Sequence, residues 1–194
     1  MSSEQPEPDL RAVLMRYLQE ARDNVLRSLE GASDYDVRRP MTPSATNLLG
    51  LVKHLAGIEL SYLGACVGRP SPVPLPWDDV SIWDGADMWA TAAESPDYIV
   101  GLYRTAWRHS DESVEALGLA APASVAWWPE ERRTTTLGSL LVRVVAETAQ
   151  HAGHADIVRE MIDGRGGRDA DAAGDAGHWA GYVAQVQAAA DQHR

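Results

Sequence analysis

The chain has 194 residues, of which 45% are hydrophobic, and a formal net charge of −11. This length supports one substantial core, and no shift in composition divides it into two globular halves. The acidic charge opposes phosphate backbones and anionic lipid, so we expect neither nucleic acid nor a membrane as a partner. The N-terminus shows no signal peptide and the chain has no membrane-length apolar run, which predicts a cytoplasmic protein.

Four long segments with helical periodicity contain nearly all of the large apolar side chains. They run from residue 9 to about 30, from about 42 to 67, from 95 to 117 and from about 136 to 162. The pattern predicts an all-α four-helix bundle without a sheet over residues 9–163. Asp9 and Ser95 are the expected N-caps of the first and third helices, and Pro96 suits a first helical position.

The remaining segments are predicted from composition. Residues 1–8 form a disordered tail, residues 70–96 a long proline-rich crossover, and residues 164–176 an Asp/Ala/Gly linker. A short last helix, within residues 177–194, packs on the outside of the bundle or makes a homodimer contact. The single cysteine, Cys66, excludes an internal disulfide and is expected to be a small buried hydrophobe.

A carboxylate and an imidazole stand one helical turn apart in the fourth segment. Glu147 and His151 point the same way, and His151 falls on the apolar stripe of its helix. His54 interrupts the apolar stripe of the second helix in the same manner. If these faces meet, two nitrogens and one oxygen suit zinc or a similar divalent metal with an open coordination position.

Each residue of this set has a simpler interpretation. His54 alone is more often a satisfied core residue, and Glu147 with His151 alone is as well explained by an ordinary helical polar pair. His154, three residues past His151, fits an additional ligand or a residue beside the site that contacts a ligand; we expect the second.

Aromatic side chains are predicted to line a substrate pocket. Trp127 and Trp128 lie in the loop before the last bundle helix, where large aromatics often form pocket walls. Tyr103 and Trp107, on the inner face of the third helix, are placed in the same pocket. The alternative for the tryptophan pair is a hydrophobic plug over the end of the bundle.

Three motifs identify a family resemblance. They are TPSATNLLGLVKHL at residues 42–55, WWPEER at 127–132 and AETAQHAGHAD at 146–156. With them the chain resembles the DinB superfamily of metal-binding four-helix bundles, particularly its actinobacterial branch, over roughly residues 9–163. The resemblance implies a divalent metal, with zinc preferred, held by His54, Glu147 and His151. Many members have His where this chain has Glu147, whereas the related mycothiol-dependent maleylpyruvate isomerases are similar to it in using Glu.

Several relatives transfer mycothiol or bacillithiol to electrophiles. The resemblance therefore implies, as our first hypothesis, that this protein is a thiol S-transferase. It implies a mycothiol-type thiol and an electrophilic small molecule as partners. Metal coordination lowers the pKa of a thiol, so the thiolate nucleophile would exist at neutral pH. The alternatives are a metal-dependent hydrolase, with Glu130 or Glu131 among the candidate bases, and a non-enzymatic metal-binding bundle.

Overall fold

The computed structural model describes residues 9–164 and 176–194. The predicted tail at 1–8 and nearly all of the predicted linker at 164–176 lie outside the described residues. Seven helices occur within the described part: α1 Leu10–Arg27, α2 Asp34–Arg38, α3 Leu48–Tyr62, α4 Pro96–Leu117, α5 Glu130–Arg133, α6 Leu137–Asp163 and α7 Ala176–Asp191. Short 3-10 helices span Ala65–Val67 and Val80–Asp84, and strands β1 and β2 span Pro122–Ser124 and Thr134–Thr136.

The helix starts follow local hydrogen-bonding chemistry. Asp9 accepts a hydrogen bond from the Arg11 amide at the start of α1, and Ser95 accepts one from the Tyr98 amide at the start of α4. Both predicted N-caps are confirmed. The second predicted helix starts later than expected, because residues 42–46 form a turn in which the Met41 amide donates to the Thr46 carbonyl. The helix therefore begins after Asn47, whose side chain accepts from the Gly50 amide.

The bundle is formed by four long helices, with α1 packed on α6 and α3 packed between α4 and α6. Two clusters of buried apolar side chains fill the interior. Members of the first, shared by α3, α4 and the second half of α6, include Leu51, Leu55, Ile99, Leu102 and Val158. Members of the second, shared by α1, the end of α3 and the first half of α6, include Leu18, Leu63, Val114, Leu137 and Leu141. The predicted all-α bundle is confirmed.

A small hairpin corrects the expectation of a bundle without a sheet. β1 and β2 pair antiparallel, with Pro122 opposite Thr136 and Ser124 opposite Thr134. Three consecutive threonines favour extended backbone because their branched side chains suit a strand. The hairpin buries Ala123 and Val125 against the second cluster and leads directly into α6.

The C-terminal helix α7 leaves its large apolar side chains outside any core. Trp179, Tyr182, Val183 and Val186 are 40%, 54%, 62% and 54% exposed. These exposed side chains do not show the expected packing of the last helix on the outside of the bundle. The alternative, a homodimer contact, stays a prediction. Within the described ranges, no helix combines the length and apolar character needed to cross a lipid bilayer.

A buried ion pair links three of the long helices. Arg22 on α1 donates through Nε and Nη2 to the two carboxylate oxygens of Glu59 on α3, at 2.9 and 2.5 Å, and both side chains are 0% exposed. Its Nη1 donates to Asp111 on α4 at 2.9 Å. An Arg–carboxylate pair with two parallel hydrogen bonds tolerates little sliding of either helix.

We expect Glu59→Gln to lower the free energy of unfolding by about 3 kcal/mol, because it removes the buried counter-charge of Arg22 and leaves only the half-exposed carboxylate of Asp111. Urea denaturation monitored by circular dichroism measures this. The matched control is Glu20→Gln, which removes an exposed partner of Arg16 and should leave the midpoint nearly unchanged. Equal effects of the two substitutions would contradict a structural role for the buried pair.

Candidate metal centre

Three donor atoms from two helices converge on one point. Nε2 of His54 on α3 lies 3.6 Å from Oε1 of Glu147 on α6, and Nε2 of His151 lies 3.4 Å from the same oxygen. The ligand atoms of all three residues lie within 4.8 Å of one another. The two separations resemble the roughly 3.3–3.4 Å edges of a tetrahedron whose metal–ligand bonds are about 2.0–2.1 Å long. The donor set and its spacing therefore fit a zinc-like divalent ion.

The site forms because the apolar stripes of α3 and α6 meet. His54, Glu147 and His151 occupy the rim of that interface, where their side chains are 16%, 24% and 13% exposed. One turn of α6 separates Glu147 from His151, which brings their heads to the same height. The structure thus brings together the three residues predicted from the two stripes, and their role as metal ligands remains a prediction.

Asp87 orients His54, and sequence reasoning missed it. Oδ2 of Asp87 lies 2.6 Å from Nδ1 of His54, and the residue is only 7% exposed. Because a carboxylate accepts, Nδ1 carries the proton, and the Nε2 lone pair faces Glu147 and His151. Asp87 comes from the long crossover, where no periodicity relates it to His54, so no spacing signal identified it. The carboxylate–imidazole arrangement is the usual support of a metal-binding histidine.

The other ring nitrogen of His151, Nδ1, faces the imidazole of His154. Burial lowers the pKa of His151, the neighbouring imidazoles of His54 and His154 lower it further, and Glu147 opposes them. The shift favours neutral imidazole, the form that binds metals. Nδ1 of the exposed His154 lies 3.3 Å from Nδ1 of His151, outside the group of three converging donors. His154 therefore contacts His151, and its expected role beside the metal stays a prediction.

Arg143 is a second residue that the sequence analysis missed. Its guanidinium lies over the rings of Tyr62 and Trp128, at 4.9 and 5.7 Å from their centroids. Nη2 also lies 4.0 Å from Oε2 of Glu147, the oxygen turned away from the two histidines. Arg143 stands four residues before Glu147, so the pair has the ordinary helical spacing.

A cleft of about 570 Å³ opens beside His54. Its walls come from α3, the crossover and the loop that carries Trp127. The lining residues are His54, Gly57, Ile58, Ser61, Tyr62, Asp78, Asp79, Val80, Ile82, Trp83, Asp87 and Trp127. Of the four aromatics predicted to line a substrate pocket, only Trp127 is part of this wall.

The other three predicted pocket residues lie elsewhere. Tyr103 is 0% exposed and stacks edge-to-face on Trp107 with a centroid distance of 5.0 Å, inside the core between α3 and α4. Trp128 packs against Tyr62 on the side of Arg143. Tyr103 and Trp107 are not among the lining residues of the cleft, so their inward periodicity predicted burial but not this cleft.

Comparison with known proteins places this geometry in context. The profile of the family described as Mycothiol-S-transferase matches residues 13–164. The chain belongs to that family. The predicted DinB-like resemblance is thereby confirmed. A crystal structure described as the conserved protein of a locus from Enterococcus faecalis matches with a TM-score of 0.58 and 16% identity, covering 80% of this chain and 98% of that one. At this identity the likeness shows the fold alone. No curated protein matches the chain significantly.

We expect His54→Ala, Glu147→Ala and His151→Ala each to abolish stoichiometric divalent-metal binding while circular dichroism stays helical. Two remaining donors are too few to hold an exchangeable ion, whereas the apolar core is untouched. Elemental analysis after dialysis against a weak chelator measures the loss.

His154→Ala is the matched control and should stay fully loaded, because its ring contacts His151 and lies outside the group of three converging donors. Asp87→Asn should have an intermediate effect and lower the affinity for the metal about 10- to 100-fold, since it disturbs the orientation of His54 and removes no donor. Three fully loaded alanine variants, or loss in His154→Ala equal to that in His151→Ala, would overturn the assignment.

Proposed function

We propose that this protein is a divalent-metal-dependent S-transferase that joins a mycothiol-type thiol to an electrophilic small molecule. The observation that carries the proposal is the convergence of His54, Glu147 and His151 beside an open cleft, in a chain of the mycothiol-S-transferase family. Zinc is the preferred metal because imidazole and carboxylate are ligands that zinc commonly takes, and three protein ligands leave a fourth position free.

The protein's own residues hold and orient the reaction centre. A bound divalent metal would lower the pKa of the thiol so that the nucleophilic thiolate forms at neutral pH. His54 is held in one tautomer by Asp87, and the Glu147 charge is shared with Arg143. His54 also lines the cleft, so a molecule bound there lies next to the proposed ligand set.

Cys66 takes no part in this proposal. It is 7% exposed within the second core cluster, and burial raises the pKa of its thiol to about 11. A thiol of that pKa is almost wholly protonated at neutral pH and makes a poor nucleophile. The transferred sulfur therefore has to come from the co-substrate.

The hydrolase alternative gains no support from the described residues. Glu130 and Glu131 open the short helix α5, are exposed, and lie outside the cleft wall. Three other carboxylates line the cleft: Asp87 is hydrogen-bonded to His54, and Asp78 and Asp79 lie outside the group of converging donors. A water-activating base in contact with the three donors is thus not apparent in the geometry.

Purified protein should consume mycothiol in the presence of a reactive electrophile, and a strong chelator should stop the reaction. The reason is that removal of the metal raises the thiol pKa back to its solution value. Thiol loss followed with a colorimetric reagent, and conjugate detected by mass spectrometry, measure the reaction. Turnover that survives complete metal removal would refute metal dependence.

Two variants sharpen this test. Cys66→Ala should keep full turnover, since Cys66 supplies no sulfur. Glu147→His can still reach the metal at the same helical spacing, so binding should persist while turnover changes through the added positive charge. Equal loss of metal in Glu147→His and Glu147→Ala would contradict the proposed ligand geometry.

A further inference from the structure

The face of α3 that carries His54 also holds the crossover. Gly50, Lys53 and His54 stand three and four residues apart, so they lie on one face of the helix. Asp87, which orients His54, belongs to a segment of the crossover, residues 87–94, that forms neither helix nor strand. Without a regular hydrogen-bond ladder of its own, this segment takes its position from contacts with neighbouring elements. The contacts that fix it on α3 therefore decide where Asp87 lies.

Gly50 lets the backbone of the crossover touch α3. It is buried, and a Cβ at this position would overlap the carbonyl group of Met88. Asn47 donates a hydrogen bond from Nδ2 to the same carbonyl at 3.1 Å. Because Met88 directly follows Asp87, the absence of a side chain at position 50 allows the close approach right beside Asp87.

Lys53 holds the next carbonyl of the same segment. It is 2% exposed, and its Nζ donates to the carbonyl of Trp89 at 2.9 Å and to Oε2 of Glu94 at 3.0 Å. Burial opposes ionisation of Glu94, but hydrogen bonds from the Thr91 amide and from Lys53 outweigh it and lower the pKa of the carboxyl group. Lys53 and Glu94 thus form an ion pair, with little exposure to water, between α3 and the end of the segment. Such a pair is costly to separate, because each charge would stay behind in a poorly hydrated site.

We propose that Gly50 and Lys53 are positioning residues of the candidate metal centre, which act on His54 through Asp87. Neither belongs to the group of three converging donors. Gly50 allows the close contact of the segment with α3 and Lys53 secures it, which places the Asp87 carboxylate 2.6 Å from Nδ1 of His54. A histidine held in one orientation by a carboxylate is a better ligand than a freely rotating one. The effect on metal affinity rests on the metal dependence proposed above, whereas the effect on the hydrogen bond does not.

Proton NMR of the metal-free protein tests the positioning. The Nδ1 proton of a histidine bonded to a carboxylate gives a downfield resonance, and the absence of this resonance in Asp87→Ala assigns it to His54. The resonance should be present in the wild-type protein and lost in Gly50→Ala and Lys53→Met. Its absence from the wild-type protein, or its persistence in Lys53→Met, would overturn the proposal.

Two controls separate positioning from a general loss of stability. Gly101→Ala makes the same change as Gly50→Ala in a helix where nothing lies within 4 Å of the new Cβ. Leu18→Ala weakens the second core cluster, whereas Met88 of the crossover packs on the first. Both variants should keep the resonance. Its loss in Leu18→Ala would overturn the proposal, because destabilisation alone would then explain the effect.

A double-mutant cycle in metal affinity tests the route through Asp87. Lys53→Met should lower the affinity for Zn²⁺ about tenfold in the wild-type background but less than about twofold in Asp87→Ala, where the hydrogen bond that it supports is already gone. Competition with a chromogenic chelator measures the affinities. Equal fold-changes in the two backgrounds would overturn the route. Wild-type protein that binds no zinc would contradict the metal dependence, and the His54 resonance then decides the positioning by itself.

Discussion

The buried pair between Arg22 and Glu59 is the constraint on which the site geometry depends. Both side chains are fully buried, and their two parallel hydrogen bonds fix the position of α3 along α1. His54 stands five residues before Glu59 on the same helix, so the register of the ion pair also sets the height of His54. The position of α6 is held independently, since Arg159 donates from α6 to the Ser28 carbonyl at the end of α1 at 2.7 Å. Two polar anchors thus align the helices whose faces carry the donors.

The three donor atoms lie close together at separations longer than ordinary hydrogen bonds. Glu147 places one oxygen 3.6 and 3.4 Å from the two histidine nitrogens, beyond ordinary hydrogen-bond length. Asp87 occupies the opposite nitrogen of His54, and the lowered pKa of His151 favours its uncharged form. Two imidazole nitrogens and one carboxylate oxygen at this spacing suit a shared divalent ion. Metal binding would therefore use an arrangement that the bundle packing already imposes.

Sequence periodicity predicts the residues that lie on the helices and not those of the irregular segments. Helical spacing identified His54, Glu147 and His151, because each interrupts or adjoins an apolar stripe, and capping chemistry located the start of α4 at Ser95. Periodicity says that Tyr103 faces inward, but it does not say which side of α3 an inward residue reaches. Asp87 and the crossover wall of the cleft follow no repeat, since their positions are set by tertiary contacts of an irregular segment. Those features could be found only from the folded chain.

The central claim is that the three converging side chains hold one divalent ion with a position open to a thiol. Cobalt(II) substitution followed by absorption spectroscopy tests it most directly, since cobalt accepts the same nitrogen and oxygen donors and reports on its ligands. The account predicts visible bands of four-coordinate cobalt at one equivalent per chain, and a new sulfur-to-cobalt charge-transfer band when mycothiol is added. Cobalt that binds with only a six-coordinate spectrum, or a spectrum that saturating mycothiol leaves unchanged, would contradict it.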